Sequence, residues 1–493
     1  MSGKRTSVLR SAALTVSMRW TDRLLGLIST LVLARLLLPA DIGVIAMCSL
    51  VIGLIDVLLD LGVGTALIRN PHAVDGHYHT AWTLRLAQML GGAVIVIATT
   101  PIAVRYFGDP RLAPVLYVMS IGLVLAGLEN IGVIDFQKEM RFGADFKFTF
   151  LKRIAGFTVT LVLAFLWRSY WALVIGSLVG RAVGVALSYT MHPLRPRFGV
   201  SHFKDIFAIS QWMLVRNTGI YINNSLHRIL VGGRDNASVM GGYSIANDIS
   251  AMPASELLAP LNRVLFPTFV HASRDRLELK RVFLLAQGVQ TLVAFPASVG
   301  LAMVANEAVP VLLGQKWAFA IPFVQLLAFG SMFQAITTSS GYVLITLAKM
   351  RESAMVIWLQ AVLFAAIAFL AIPHGHALEL AWARIIAGTG AVALMLWLLL
   401  RVLPEVRLGD MVRTLARPFV ATGVMIAVLL TAERYLPLGL VPMLVAKVAI
   451  GAFVYPATIL ALWHMSGRPD GSEAYVARIL GDANKAWRRR RNR

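Results

Sequence analysis

Charge is scarce in this chain: of 493 residues only 14% are Asp, Glu, Lys or Arg, while 58% are hydrophobic. A soluble domain carries about 25% charge on its surface and through its loops, so that class is excluded. Cysteine is scarcer still. Cys48 is the only one, which rules out a disulfide framework or a cysteine metal centre within one chain and leaves the redox compartment open. No GxxxxGK[ST] phosphate loop, HExxH or GxSxG occurs, so nucleotide hydrolysis on a P-loop, zincin chemistry and a nucleophile elbow have no sequence support. His374 and His376 share one short loop, too few ligands for a metal site. Acids are outnumbered, giving a formal net charge of +21. In a membrane protein that excess points first to anionic lipids at the cytoplasmic face. The basic residues are scattered among loops instead of forming a patch with aromatics, which argues against nucleic acid. Long polar segments are missing too: the largest is the tail after His464, enough for a short surface helix and too little for a catalytic domain.

What the chain does have is apolar runs, with a mean hydropathy of +0.72. A bilayer core takes about 20 apolar residues per helix, and on that scale the chain is an all-α integral membrane protein of about 14 spans. They are expected near 11–38, 42–68, 80–104, 112–135, 147–167 and 170–191, then 206–231, 238–268, 281–305, 318–347, 353–373, 377–401, 414–433 and 439–464. The run from Leu24 ends at Pro39-Ala40-Asp41 and another follows at once, so residues 1–40 read as a first span and not as a cleaved signal. Loops alternate between a basic set (Lys4, Arg69, Lys138, Arg195, Arg274, Lys349, Arg407 and the tail WRRRRNR among them) and a poor set (Arg105, Arg111, Arg168, Arg234, Lys316, Arg434). The positive-inside rule puts both termini in the cytoplasm. PADIGVIAM at Pro39 echoes ASVMGGYSIA at Ala237, with Gly43 and Gly241 at matching places. This spacing predicts two pseudo-symmetric six-helix lobes, 1–200 and 201–404, two additional helices over 405–466 and a basic tail over 467–493.

Some charges fall inside the spans. Counting about 1.5 Å per residue from the turn at Pro39 to Asp41, Arg23 lies level with Asp56 and Arg19 with Asp60, one turn deeper. Asp56 and Asp60 share a helical face, as do Arg19 and Arg23. Snorkelling with structural ion pairs and a functional charge ladder both remain open; Arg35 reads as a snorkelling anchor. On the seventh span Asn217, Tyr221, Asn224 and Arg228 form one stripe, and Arg216, Asn223 and His227 another. Lipid satisfies no such groups, so these faces are expected to look onto other helices or a hydrated cavity. Asn247, Asp248, Glu129 and Arg85 are candidates for the same space, the last two depth-matched, and Arg181 and Arg384 hold comparable places in the two halves. Fixed cations in a low-dielectric cavity favour diphosphates and uronic acids, which arginine meets with paired donors. Gly176, Gly180 and Gly184 make a close-packing face, and Pro253 and Pro260 are candidate hinges.

The segments DRLLGLISTLVLARLLLPADIG, Asp60-Leu61-Gly62 before TALIRN, and NDISAMPASELLAPLNRVLFPTF from Asn247 resemble the polysaccharide transporter family. It is part of the multidrug/oligosaccharidyl-lipid/polysaccharide flippase superfamily, and the nearest pattern is the Wzx-like or colanic-acid exporter type. The resemblance covers roughly the first 350 residues. It implies a V-shaped protein that turns a polyprenyl-diphosphate-linked oligosaccharide from the cytoplasmic to the periplasmic leaflet of the inner membrane, for exopolysaccharide, O-antigen or lipopolysaccharide synthesis. By position, Asp22 and Arg23 stand where the family has an acid-base pair, and Asp60 where it has an acid. His227-Arg228 stands where the family commonly has Asp-Lys, so this chain offers no acid at that place.

The expected mechanism is ion-coupled alternating access without an enzyme's chemistry. Arg19, Arg23, Arg181, Arg216 and Arg228, with Asn217, Tyr221 and Asn224, would hold substrate; Asp22, Asp56, Asp60, Glu129, His227 and Asp248 would pair with them or take a coupling proton or sodium ion. No other cofactor is implied. A polysaccharide polymerase and a chain-length regulator are the expected partners. The alternatives are a lipid II flippase, a multidrug exporter of the same superfamily, and a membrane sugar polymerase or ligase.

Overall fold

The computed structural model describes residues 25, 26 and 28–478. Arg19, Asp22 and Arg23 lie outside the described residues, as do the side chains of Arg216 and Pro260. Every expected stretch carries helix, the first over 28–36, here α1. The rest of the first unit is α2 (Pro39–Leu59), α3 (Val63–Arg69), α4 (Asp75–Phe107), α5 (Leu112–Leu128), α6 (Asp135–Lys138), α7 (Phe142–Trp167), α8 (Trp171–Met191) and α9 (Phe203–Arg234). Then come α10 (Ala237–Ala272), α11 (Arg276–Leu312), α12 (Ile321–Thr346), α13 (Met350–Ala366), α14 (Ala377–Val402), α15 (Leu408–Tyr435) and α16 (Leu440–Met465). Among the described residues ten helices are long and apolar enough to cross a membrane, or eleven if the bent pair at α5 counts as one span. α9 and α10 have the length, at 32 and 36 residues, but their polar stripes keep them out of that set. The chain divides into two compact units, Met1–Gly241 and Gly242–Arg493, so α9 groups with the first.

Local chemistry sets the helix ends. Pro39 opens α2 with its φ preset, and the Asp41 carboxylate accepts from the Leu38 N–H at 3.0 Å. The second stretch, expected to run on to residue 68, instead stops at Leu59. Asp60 Oδ1 accepts from Gly62 N–H at 2.8 Å, and Gly62 takes a left-handed φ of 60° that a side chain would resist. The fourth stretch also breaks, bending by 70° between Leu128 and Ile131. Here Asn130, fully buried, substitutes for the helix: its N–H donates to Ser188 Oγ (2.9 Å), its Nδ2 to the Leu194 carbonyl (2.7 Å), and its Oδ1 accepts from Gly132 N–H (2.9 Å). A buried polar backbone can leave the helical ladder only where such partners exist. After α4, the loop is held by Arg111, whose Nη2 donates to Asp109 Oδ2 at 2.6 Å; these bonds keep the Asp109 carboxyl below the ordinary carboxylate range.

Small residues set the packing of the first unit. On α8 the glycine stripe meets α7 as expected: an added Cβ on Gly176 would stand 2.9 Å from the Gly156 carbonyl oxygen and overlap the Thr160 hydroxyl, and one on Gly180 would stand 3.3 Å from the Lys152 carbonyl. The two echoing motifs touch each other. A Cβ on Gly43 would overlap the Ala237 carbonyl, and one on Gly241 would overlap the Pro39 carbonyl, so the helix starts cross in backbone contact. In the second unit α15 and α16 form a hairpin packed on α11, and α11 packs on α12. Its core includes Phe269, Phe283, Leu399 and Leu403, all nearly inaccessible.

Candidate functional site

Glu129 caps the C-terminus of α5 with 6% of its surface exposed. A carboxylate so placed needs charge around it. Two cations supply it: Lys152 Nζ of α7 lies 2.6 Å from Oε2, and Arg85 Nη2 of α4 lies 3.8 Å from Oε1. The depth match of Arg85 with Glu129 is therefore a real proximity, an ion pair beyond hydrogen-bond length. Lys152 was not among the expected groups. Gly184 makes its approach possible, since a Cβ there would stand 2.8 Å from Lys152 Cδ and 3.3 Å from Glu129 Oε2. The third glycine of the stripe thus admits a side chain, where the first two admit a backbone.

Arg181 lies on the same helix, one turn before Gly184. Its Nη1 donates to the Gly122 carbonyl of α5 at 3.0 Å, and Gly122 leaves the stem its room. Asp56 is exposed on α2, within the electrostatic reach of Arg181, Asp60 and Arg85. Helices α2, α4, α5, α7 and α8 thus gather three cations, Arg85, Lys152 and Arg181, with Glu129, Asp56 and Asp60. Lys152 and Arg85 keep 34% and 28% of their side-chain surface exposed, while Glu129 between them is buried. Guanidinium and ammonium donors on rigid helices suit an oxyanion, and arginine offers it paired contacts.

The polar helix α9 divides its groups between packing and exposure. Tyr221 donates its hydroxyl to the Leu50 carbonyl of α2 at 2.6 Å, and Gly53 clears space for the ring. His227 is buried, with Nε2 3.0 Å from the Asn224 carbonyl, while the Asn224 side chain is exposed and Asn217 half-buried. Arg228 Nη2 donates to Ser225 Oγ at 3.3 Å, and its buried Nε has no hydrogen-bond partner among the described residues. In the second unit Arg384 Nη1 donates to Asn247 Oδ1 at 2.9 Å, and Asn247 Nδ2 donates to Asp248 Oδ1 at 3.3 Å. Arg181 and Arg384, comparable by sequence place, thus bind a backbone carbonyl and a side-chain amide respectively. The helix α10 continues unbroken through Pro253 and Pro260. Among the described residues no three His, Cys, Asp or Glu gather to hold a metal ion.

A family model described as polysaccharide biosynthesis protein matches residues 32–322, more than half of the chain. The lipopolysaccharide biosynthesis protein WzxC of Escherichia coli (strain K12) is 27% identical over 66% of this chain and 67% of its own length. The succinoglycan biosynthesis transport protein ExoT of Rhizobium meliloti (strain 1021) is 26% identical over 87% of this chain and 88% of its own. Among solved structures, the lipid II flippase MurJ in an inward closed conformation matches 93% of this chain and 100% of that chain with a TM-score of 0.76 at 12% identity, a likeness of fold alone. By that match over residues 32–322 the chain belongs to the polysaccharide biosynthesis protein family, and its apolar helices make it a multi-pass membrane protein.

Proposed function

We propose that the protein is a flippase that turns a polyprenyl-diphosphate-linked oligosaccharide from the cytoplasmic to the periplasmic leaflet of a bacterial inner membrane, feeding exopolysaccharide, O-antigen or lipopolysaccharide synthesis. The observation that carries the reading is the gathering of Arg85 and Lys152 from two apolar helices about one buried carboxylate, with Arg181 of a third helix in electrostatic reach of Asp56. Charges at membrane depth are costly and are kept where they meet a ligand or line a pathway. Glu129 holds the site in the absence of substrate; diphosphate or uronate oxygens compete with it for Lys152 and Arg85, while Arg181 and Arg228 add further donors. The loosest link is the 3.8 Å pair of Arg85 with Glu129, which is where exchange begins.

Substrate drives a change of state only by binding the two states unequally. Asp56, Asp60 and Asp248 are the acids that carry a coupling proton or sodium ion in this reading, and both termini face the cytoplasm, in keeping with the basic set of loops. The product passes to a polymerase and its chain-length regulator.

The test is replacement of Arg85 and Arg181 together by glutamine, and separately of Arg216 and Arg228. Each pair should abolish surface polysaccharide while the protein still inserts at the parental level. Full export by a normally inserted double variant overturns the reading. Loss of viability on deletion of the gene, instead of loss of surface polysaccharide, would move the assignment to a cell-wall precursor.

A further inference from the structure

The connector between α8 and α9, over 192–202, lies along the start of α4 instead of looping away from it. Its backbone finds side-chain acceptors there: Arg197 N–H donates to His79 Nδ1 (3.2 Å), Gly199 N–H to Thr83 Oγ1 (3.0 Å) and His202 N–H to Thr80 Oγ1 (3.3 Å). Rings add to this seam. Phe198 meets Trp82 with centroids 5.3 Å apart, and His202 lies over His77 at 3.8 Å. Gly76 makes the room, since a Cβ there would stand 2.7 Å from His202 Cε1. The first residues of the connector are fixed separately, by Asn130 on the Leu194 carbonyl and by His192 Nδ1, which accepts from Leu194 N–H at 3.2 Å.

The far ends of α4 and α9 also meet, so the two helices are joined at both ends. Tyr106 donates its hydroxyl to the Ile229 carbonyl at 3.2 Å; a Cβ on Gly232 would stand 2.7 Å from Phe107 Cε1, and one on Gly233 would overlap the Tyr106 ring. Those contacts are close packing and one phenol, and none changes charge between about pH 5 and 8. The near end is different. It is built on imidazoles, the side chains that do titrate in that interval. His77, His79 and His202 are all partly exposed and precede or lie outside the apolar stretch expected over 80–104, so protons reach them.

A ring nitrogen accepts a hydrogen bond only while it carries no proton. Protonation of His79 therefore sets a donor against the Arg197 N–H, and protonation of His77 and His202 sets two like charges face to face. Among the described residues neither His79 nor His202 has a carboxylate partner, whereas His192 has Asp135, with Oδ2 3.4 Å from Nε2. The other charged groups on this face are Asp75 in the first turn of α4, the exposed Arg195 and Arg197 of the connector, and Lys138 of α6 beside Tyr78. Cations outnumber acids there. We infer that the connector is a latch released by acid: with His77, His79 and His202 neutral it fastens the start of α9 to α4, and protonation of these rings frees it while the far ends stay joined. α4 carries Arg85 and α9 carries Tyr221 and Arg228, so the latch sets how firmly two helices of the charged site move as one.

Amide hydrogen exchange of the full-length protein in phospholipid nanodiscs, read residue by residue against the free-peptide rate at each pH, tests the inference at about pH 7.5 and about pH 5.5. The Arg197, Gly199 and His202 amides should lose protection together on acidification, each by about fivefold or more, the worth of one ordinary hydrogen bond. Two of the three donate to threonine hydroxyls, which do not titrate, so a joint loss reports the latch and not one bond. His79→Asn keeps an acceptor near the place of Nδ1, and His202→Phe keeps a ring over His77; the double variant should hold its protection at both pH values. His79→Phe removes the acceptor and should lose protection at both. Equal protection of the parent at the two pH values, a loss confined to Arg197, an acid loss in the double variant equal to that of the parent, or parental protection in His79→Phe overturns the inference. None of these outcomes depends on the identity of the exported glycan.

Discussion

Replacing Lys152 by Met separates the structural from the functional share of the charge cluster. The methionine keeps the stem that fits over Gly184 and removes only the ammonium. At an effective dielectric of about 20 the 2.6 Å pair attracts by about 6 kcal/mol, and breaking a fully buried pair costs about 3–5 kcal/mol after desolvation is returned. Two features reduce that cost here: Lys152 is one-third exposed, and Arg85 remains 3.8 Å from the orphaned carboxylate. The expected destabilisation is about 2 kcal/mol, a factor of about 30 in the folded-to-unfolded ratio. Adding Glu129→Gln removes the uncompensated charge and should restore stability to within about 1 kcal/mol of the parent. Denaturant titration of the purified protein in mixed micelles measures the cycle, and surface polysaccharide in a deletion strain measures export. The double variant should be stable and inactive, because Lys152 then serves the anion and not only Glu129. A stable double variant with parental export would refute the reasoning and leave the pair as packing.

Further predictions follow from single contacts. Gly176→Val drives a branched side chain into Thr160 and the Gly156 carbonyl and should cost about 1–3 kcal/mol or more by the same titration, whereas Gly91→Ala, with nothing within 4 Å, should not destabilise. Lys447→Met leaves Glu307 buried and unpaired and should cost about 3–5 kcal/mol, most of it recovered by adding Glu307→Gln. Asp109 is held below the ordinary carboxylate range by Arg111, so its contribution is complete above that range and is lost as pH falls through its lowered value. Asp109→Asn should therefore lower the melting temperature at neutral pH, leave it little changed at the acid end, and so flatten the acid limb of the profile.

Ten of the fourteen expected spans were legible because a bilayer imposes length and apolarity on a crossing helix, and those are sequence properties. Their breaks were less so. Asn130 turns the chain only because Ser188 and Leu194, far off in sequence, take up its amides, and Asp60 ends α2 only because Gly62 can adopt a positive φ. The pairing of Arg85 with Glu129 could be read from depth, which survives folding as a coordinate. Lys152 and Lys447 were overlooked although both stand inside apolar stretches; a search for every cation within a span would have raised them. Tyr221 shows the limit of periodicity. Its place in a polar stripe was plain, but whether its hydroxyl met water or the Leu50 carbonyl depended on Gly53 of another helix.

The mutual contact of Gly43 and Gly241 with the carbonyls opposite them bears on how such a chain changes over generations. A half-length precursor pairing with its own copy would present one glycine to both crossings, so a single replacement would strike twice. Once duplicated and joined, each copy is free to vary alone, yet every change still lands against the other's main chain, which offers no side chain that could shrink in compensation.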